Sequence, residues 1–331
     1  MRQFDVVALG EVLIDFTPTA QTEAGELTFK RNPGGAPANA LAAVVRLGGR
    51  AAFMGMVGAE DQFGAFLKDT LDQAGIDTRA LKFTHKANTT LAFVTLDASG
   101  DRNFSFYRKP GADLMFSKED IDVSLIKNST FFHFGSLSMT NEPARSATLE
   151  AARIAKEEGC IISYDPNLRL PLWPSMAAAV EGMRLGVGYA DILKVSEEEM
   201  EALTGETDLY KGSQLLFDQG PKLVLVTLGA KGCFYRFASG DGGADAVAPY
   251  TVRGVDATGC GDAMDGSVIY AFSRMAQPLA RLDHDILQEV LGFANAVAGI
   301  CVTRLGGIPA MPTLQEVEAF RSSTPRGPKA V

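Results

Sequence analysis

Thr130-Phe131-Phe132-His133-Phe134, Ile161-Ile162-Ser163-Tyr164, Asp191-Ile192-Leu193-Lys194-Val195 and Lys222-Leu223-Val224-Leu225-Val226-Thr227-Leu228 decide the fold of this 331-residue chain. Each run is apolar, too short for a helix and rich in β-branched or aromatic residues. Helical spacing fills the gaps, at Ala144–Lys156, Met176–Leu185, Glu197–Leu203 and Ser213–Phe217. Apolar strands alternating with helices predict a mainly parallel sheet covered on both faces. Toward the N-terminus the same reading gives strands at Phe4–Leu9 and Ala52–Val57 and helices at Ala36–Leu47 and Phe63–Ala74. The stretch Thr89–Tyr107 differs: Leu91–Leu96 and Asn103–Tyr107 flank Ala98-Ser99-Gly100-Asp101, a hairpin signal. There Phe104 and Phe106 alternate with Asn103, Ser105 and Tyr107, giving one apolar face read as a lid or a dimer surface. The expected organisation is a single α/β domain over residues 1–321, with lid segments at about 11–33 and 88–110. The Pro-, Lys- and Arg-bearing tail 322–331 is expected to be disordered.

Composition narrows the function. With 31 Lys and Arg against 40 Asp and Glu the net charge is −9, which argues against nucleic acid as a partner. Backbone donors can still hold a small anion. Cys160, Cys233, Cys260 and Cys301 are scattered without a CxxC pair, so no zinc site or disulfide framework is expected and a reducing cytoplasm fits. The short run Val6–Leu9 is too brief for a secretory or membrane segment, so no membrane partner is expected.

In such sheets ligands sit at the carboxyl ends of the strands. The most informative segment is Asp256-Ala257-Thr258-Gly259-Cys260-Gly261-Asp262-Ala263-Met264-Asp265-Gly266, a glycine turn running into the helical pattern Ala263–Phe272. Consecutive N–H groups and a helix N-terminus make a cradle for a phosphoryl group. On this segment alone Asp262 reads equally as a helix cap or as a base. No Lys-Ser or Lys-Thr follows the glycines, so it is not a P-loop. Asn32-Pro33-Gly34-Gly35-Ala36-Pro37-Ala38-Asn39-Ala40 places two glycines before a helix and an amide one turn in, while Asp15 follows the apolar Val12–Ile14. A carboxylate and an amide converging on one pocket would hold a polyhydroxyl ligand; a turn with a capped helix is the plainer alternative.

Together, Gly34-Gly35-Ala36-Pro37-Ala38-Asn39 and Gly259-Cys260-Gly261-Asp262 resemble the paired motifs of the ribokinase-like (PfkB) carbohydrate kinases, over residues 4 to 320. Asp165-Pro166-Asn167-Leu168-Arg169-Leu170-Pro171-Leu172-Trp173 and Glu11-Val12-Leu13-Ile14-Asp15-Phe16 resemble the fructokinase branch. The resemblance implies a three-layer α/β/α sandwich with a small β-sheet lid, ATP and Mg²⁺ as cofactors, and transfer of phosphate to a primary hydroxyl of a small sugar, fructose first. It implies Asp262 as general base, with Gly259, Cys260 and Gly261 forming the anion hole. Asp15, Gly34, Gly35, Asn39, Arg108 and Arg169 become the substrate side. Lys194, Ser196, Glu199, Thr227, Gly229, Gly232 and Asn295 become the nucleotide side, with Glu199 organising Mg²⁺ through water. A K⁺ loop is implied from Asp256, Thr258, Cys301, Arg304 and Gly306, and a homodimer through the lid. Departures are Ser196 for the usual Asn, Cys260 for Ala, Ala257 for Thr, and Ala310 lacking a hydroxyl that some relatives place near the cation. A kinase of 2-keto-3-deoxygluconate, ribose or a nucleoside, with Arg108 and Arg169 as carboxylate partners for the keto acid, stays open at this point. So does a catalytically silent binding protein.

Overall fold

The computed structural model describes residues 2–21, 27–96, 102–238 and 243–330; the hairpin turn expected at residues 98–101 lies outside them. The chain opens with β1 (Phe4–Leu9), leaves for β2 (Leu13–Gln21) and β3 (Leu27–Gly34), and returns through α1 (Ala36–Arg46) to β4 (Ala51–Gly58), α2 (Gln62–Gln73) and β5 (Asp77–Thr84). β6 (Leu91–Leu96) and β7 (Arg102–Tyr107) follow. Then come α3 (Val123–Lys127), β8 (Ser129–Gly135), α4 (Ala144–Glu157), β9 (Ile161–Asp165), α5 (Met176–Val187) and β10 (Ile192–Ser196). After α6 (Glu197–Thr204) and α7 (Leu209–Phe217) lie β11 (Leu223–Thr227), β12 (Cys233–Phe237) and β13 (Ala244–Val247). The helices α8 (Cys260–Ser273), α9 (His284–Cys301) and α10 (Leu314–Ser323) end the chain.

Nine strands form the main sheet in the order β13-β12-β11-β10-β9-β8-β1-β4-β5. All its pairings are parallel except those of β12. The period-2 geometry of a strand sends alternate residues to opposite faces. Val6 and Ala8 enter one core with Leu41, Val268, Phe272 and Leu291. Val7 and Leu9 enter the other with Phe132, Phe134, Ala151 and Met183. Two apolar faces leave both sides to be covered by helices, which is the expected three-layer sandwich. The smaller sheet has the order β3-β2-β6-β7; it forms because β2 pairs with β3 antiparallel and with β6 parallel. This is the expected lid.

The last residues correct the expectation of a disordered tail. Helix α10 runs to Ser323, and beyond it Thr251 N donates to Pro325 O and Gly327 N to Pro249 O, while the Arg326 guanidinium sits over the Tyr250 ring. The arginine's cation–π contact and these two backbone hydrogen bonds, which make one antiparallel bridge, hold a segment whose composition alone looked unfolded. Among the described residues no helix is long and apolar enough to cross a membrane.

Strand β1 is the switch point: the chain goes to β4 on one side of it and to β8 on the other, and a crevice opens at the carboxyl ends there. The helices α1 and α8 meet above that crevice. Their backbones approach closely because Gly266 lacks a side chain: a Cβ there would stand 2.2 Å from Ala40 O and 2.7 Å from Ala43 Cβ. Gly266→Val should separate α1 from α8 and destabilise the protein by about 1–3 kcal/mol, the usual cost of overpacking, read as a lower urea midpoint at unchanged m.

Candidate functional site

A cavity of about 470 Å³ lies at the crevice, between the strand ends and the lid. Its floor is the turn before α8. Gly259 takes φ +79°, and a Cβ there would stand 2.9 Å from Gly307 Cα, so glycine is required on both counts. Gly259 is itself the N-cap of α8, and no side chain caps this helix. The two readings of Asp262 therefore separate: it is not the cap. It sits in the first turn, where its Oδ2 accepts a 2.8 Å hydrogen bond from Asn39 Nδ2. Burial pushes Asp262 up to about 6. The Asn39 hydrogen bond favours the ionised form, the negative charge of Asp165 opposes it, and Lys194 and Arg169 favour it.

On the wall carried by α1, Gly35 caps the helix at φ +112°, and a Cβ there would stand 2.4 Å from Glu11 O. The Glu11 Oε1 accepts from Ala36 N at 3.0 Å, so a carboxylate of the β1–β2 turn finishes the helix N-terminus. Gly34 leaves room for Asp15, whose Oδ2 would lie 2.1 Å from a Cβ at residue 34. Asp15 is pushed up to about 7 by burial, against the pull of Arg169 and with the like charges of Asp262 and Asp256 adding to the rise. Asp15, Gly35, Asn39 and Arg169 all line the cavity. Arg108 does not. Its Nε donates to Asp113 Oδ2 at 2.9 Å, its Nη1 to Thr140 Oγ1 at 2.8 Å and its Nη2 to Leu137 O at 2.9 Å, all buried. A lid arginine expected on the substrate is instead the internal tie of the β7 end. Phe106 lines the cavity, so the apolar alternation of β7 belongs to the inner side of the lid rather than to an outer face; the Phe104 side chain lies outside the described residues.

Opposite, Lys194, Ser196, Glu199 and Thr227 line the cavity from the ends of β10 and β11 and the start of α6. Ser196 and Glu199 form a capping box: Ser196 Oγ accepts from Glu199 N at 3.1 Å, and Glu199 Oε2 accepts from Ser196 N at 2.8 Å. Glu199 Oε1 accepts from Leu168 N at 2.6 Å, which ties the Arg169 loop to α6. Three expected nucleotide residues are not on the cavity wall. Gly229 and Gly232 shape the β11–β12 turn, Gly232 at φ +98° with Val247 O 2.3 Å from a Cβ position. Asn295 Nδ2 donates to Val247 O and Ala248 O, joining α9 to the sheet edge.

The expected cation loop is partly gathered. Asp256 Oδ1 accepts from Thr258 N at 2.8 Å and Oδ2 from Gly306 N at 3.0 Å. Thr258 and Gly306 line the cavity, whereas Cys260, Cys301 and Asp256 sit behind it. The Cys301 thiol, beside Cys260 and 3.8 Å from Thr258 O, is pushed up by that thiol and by burial. Arg304 turns away to Glu316 Oε1 at 2.5 Å.

The family model of pfkB carbohydrate kinases matches residues 3–314. The chain belongs to the pfkB carbohydrate kinase family. It is 44% identical over 325 residues to probable fructokinase-7 of Arabidopsis thaliana, covering 96% of this chain and 93% of the relative. A fructokinase of Xylella fastidiosa with bound ATP superposes at TM-score 0.88 and 35% identity, over 96% of this chain and 98% of that one. A fructokinase of Vibrio cholerae O395 with fructose, ADP and calcium ion bound gives TM-score 0.85 and 34% identity, over 95% and 98%.

In this pfkB chain Glu11, Asp165 and Asn167 lie within the quoted motifs and line the cavity, yet the motifs assigned them no role. Glu11 is buried and pushed up to about 7. Asp165 is buried at the end of β9, and Asn167 takes φ +48°, its N–H donating to Asp165 Oδ1 at 3.0 Å. The signal was available: a carboxylate directly after an apolar strand, followed by an Asn able to take the left-handed region.

The folded value of Asp262 lies above the ordinary 3.8, so its ionised form costs stability at pH 7 and above, about 3 kcal/mol. That cost fades as pH falls from 6 toward 3.8. Asp262→Asn should therefore melt higher than the native chain at pH 8, with the gain shrinking by pH 5, in thermal unfolding followed by circular dichroism. The kcat/KM profile of the native chain should show an acid limb near pH 6. Asn39→Ala removes the hydrogen bond that favours the carboxylate, so its limb should lie at higher pH.

Proposed function

We infer that this pfkB-family chain is an ATP-dependent fructokinase that makes fructose 6-phosphate, with Asp262 as the base. The observation that carries the reading is the Asp262 carboxylate, fixed by Asn39 beside the Gly259–Gly261 turn at the floor of a cavity. The attacking hydroxyl oxygen bonds to the γ-phosphorus of ATP, the bond to the ADP oxygen breaks, and Asp262 takes the hydroxyl proton. A base near 6 is ionised at pH 7 yet far more basic than a free carboxylate. The N–H groups of Gly259–Gly261 face the charge on the transferring oxygens. Asp15, Gly35, Asn39 and Arg169 hold the sugar. The Asn39 Oδ1, buried with no hydrogen-bond partner among the described residues, offers an acceptor to a sugar hydroxyl. Closure of the small sheet excludes water, the competing acceptor.

On the nucleotide side Glu199 fits a water-mediated role: both its oxygens already accept a backbone N–H, yet it lines the cavity. Mg²⁺, when bound with the nucleotide, neutralises charge on the phosphate oxygens. K⁺ beside the floor is supported by the convergence of Asp256, Thr258 and Gly306. Lid pairing in a homodimer is supported by the stacked Phe16 and Phe93, with Phe29 and Tyr107 edge-on to Phe93. Strand alternation turns Tyr107 away from Phe106 and the cavity. Cytoplasmic residence is supported by four unpaired cysteines.

The keto-acid alternative loses its second cation with Arg108, which is committed to Asp113. A silent binding protein would not need a buried carboxylate whose ionised form costs stability. Asp262→Asn should lower kcat by about a hundredfold or more with little change in KM for the sugar, measured by coupled ADP release. In the same assay fructose should exceed ribose and 2-keto-3-deoxygluconate in kcat/KM; preference for the keto acid would overturn the fructose assignment.

A further inference from the structure

Behind the floor turn lies a buried ion cluster that the transfer step described above does not use. Lys194 Nζ, at the end of β10, stands 2.7 Å from Asp165 Oδ2 and 3.3 Å from Asp265 Oδ2, and all three side chains are about 5% exposed. Carboxylate oxygens of Asp165, Asp262 and Asp265 lie within 4.8 Å of one another, a grouping with metal-binding dimensions. The cation among them is already supplied by the lysine. Burial holds the Asp265 carboxyl well above the usual carboxylate range, and Asp165 is drawn below it by Lys194. The Lys194 ammonium donates a hydrogen bond to Asp165 Oδ2 and stands within ion-pair distance of Asp265.

An internal ion pair that merely joins β9, β10 and α8 would be sealed from the cavity. This one is not. Lys194 and Asp165 line the cavity, and the ammonium lies directly under Gly261, where even an added Cβ would stand only 3.3 Å from Nζ. The charge balance of the walls points the same way. Six cavity-lining residues carry carboxyl groups (Glu11, Asp15, Asp165, Glu198, Glu199 and Asp262), and the cationic ones among the described residues are Lys194 and Arg169. A phosphoryl group entering such a cavity finds opposite charge among the described residues only at these two cations.

We propose that Lys194 acts on the transferring phosphoryl group from beneath Gly261, and that Asp165, seconded by Asp265, is a positioning residue that holds the ammonium there. The inference rests on the kinase reading above. The paired carboxylates keep the lysine charged despite burial, and the missing side chain at Gly261 lets that charge reach the equatorial oxygens. As negative charge shifts during transfer, a fixed ammonium stabilises the transition state more than bound ATP, so its loss falls on kcat rather than on KM.

The test uses two variants of the full chain. The double variant Lys194→Met, Asp165→Asn removes the pair without leaving a lone buried charge. Lys194→Gln keeps a hydrogen-bond donor for Asp165 and loses only the charge. Expected for both are a native circular dichroism spectrum, a fructose KM within about threefold of native and a kcat lower by about a hundredfold. Inhibition by ADP with aluminium fluoride, which mimics the transferring group, should weaken in step with kcat, while inhibition by ADP alone should not. A folded variant with kcat within about threefold of native overturns the proposal. Loss of the fold in both variants overturns it too, because the pair is then structural glue. A native chain that phosphorylates another sugar removes the fructose assignment and leaves this test standing on that sugar. A native chain without ATP turnover removes both.

Discussion

One hydrogen bond, from Asn39 Nδ2 to Asp262 Oδ2 across 223 residues of sequence, is the constraint on which the site depends. It requires that the N-termini of α1 and α8 meet over the same crevice. That in turn requires the close approach of the two helices at Gly266, where the backbone of α1 occupies the space of a side chain. Packing of small residues (Ala40, Ala43 and Gly266) thus sets the geometry of the polar pair carried by the same two helices. The same contact joins the cavity wall carried by α1 to the floor carried by α8. The Asp262 carboxylate stands where these two walls meet.

The second determinant is electrostatic. Carboxyl groups outnumber cations on the cavity wall, and burial raises Glu11, Asp15 and Asp262 alike. The cause is common to all three: the charged form loses water and gains like-charged neighbours. The consequence differs by position. Asp262 has an amide partner that favours its ionised form and so is held below Glu11 and Asp15. Asp15, facing Arg169 but also two carboxylates, holds its proton longer and can present a donor as well as an acceptor to a hydroxyl. On an acidic chain, the cations that line this cavity among the described residues are Lys194 and Arg169.

Much of this was legible in the sequence. The strand–helix rhythm from Thr130 to Leu228 predicted the parallel sheet, and the two glycine motifs predicted the walls of the cavity. Those signals are local: apolar runs have a period and a length, and glycine marks backbone that no other residue can follow. Other elements left weaker traces. The two edge strands of the main sheet, β5, with Lys82 exposed along it, and β13, were not read, and neither was β12, an inner strand buried throughout. Edge strands lack the continuous apolar run of buried ones.

The sequence by itself determined the class of fold, the floor turn and the identity of Asp262, because each rests on residues adjacent in the chain. Tertiary structure alone decided which long side chains serve the cavity. Arg108 and Arg169 look equivalent as letters, yet Asp113 captures the first in the interior and leaves the second on the wall. Lys194 and Asp165 meet only because β9 and β10 are neighbours in the sheet, and Asp265 joins them only because α8 crosses above. A charge on a flexible chain goes where its partners are, and partners separated by dozens of residues are assigned by packing.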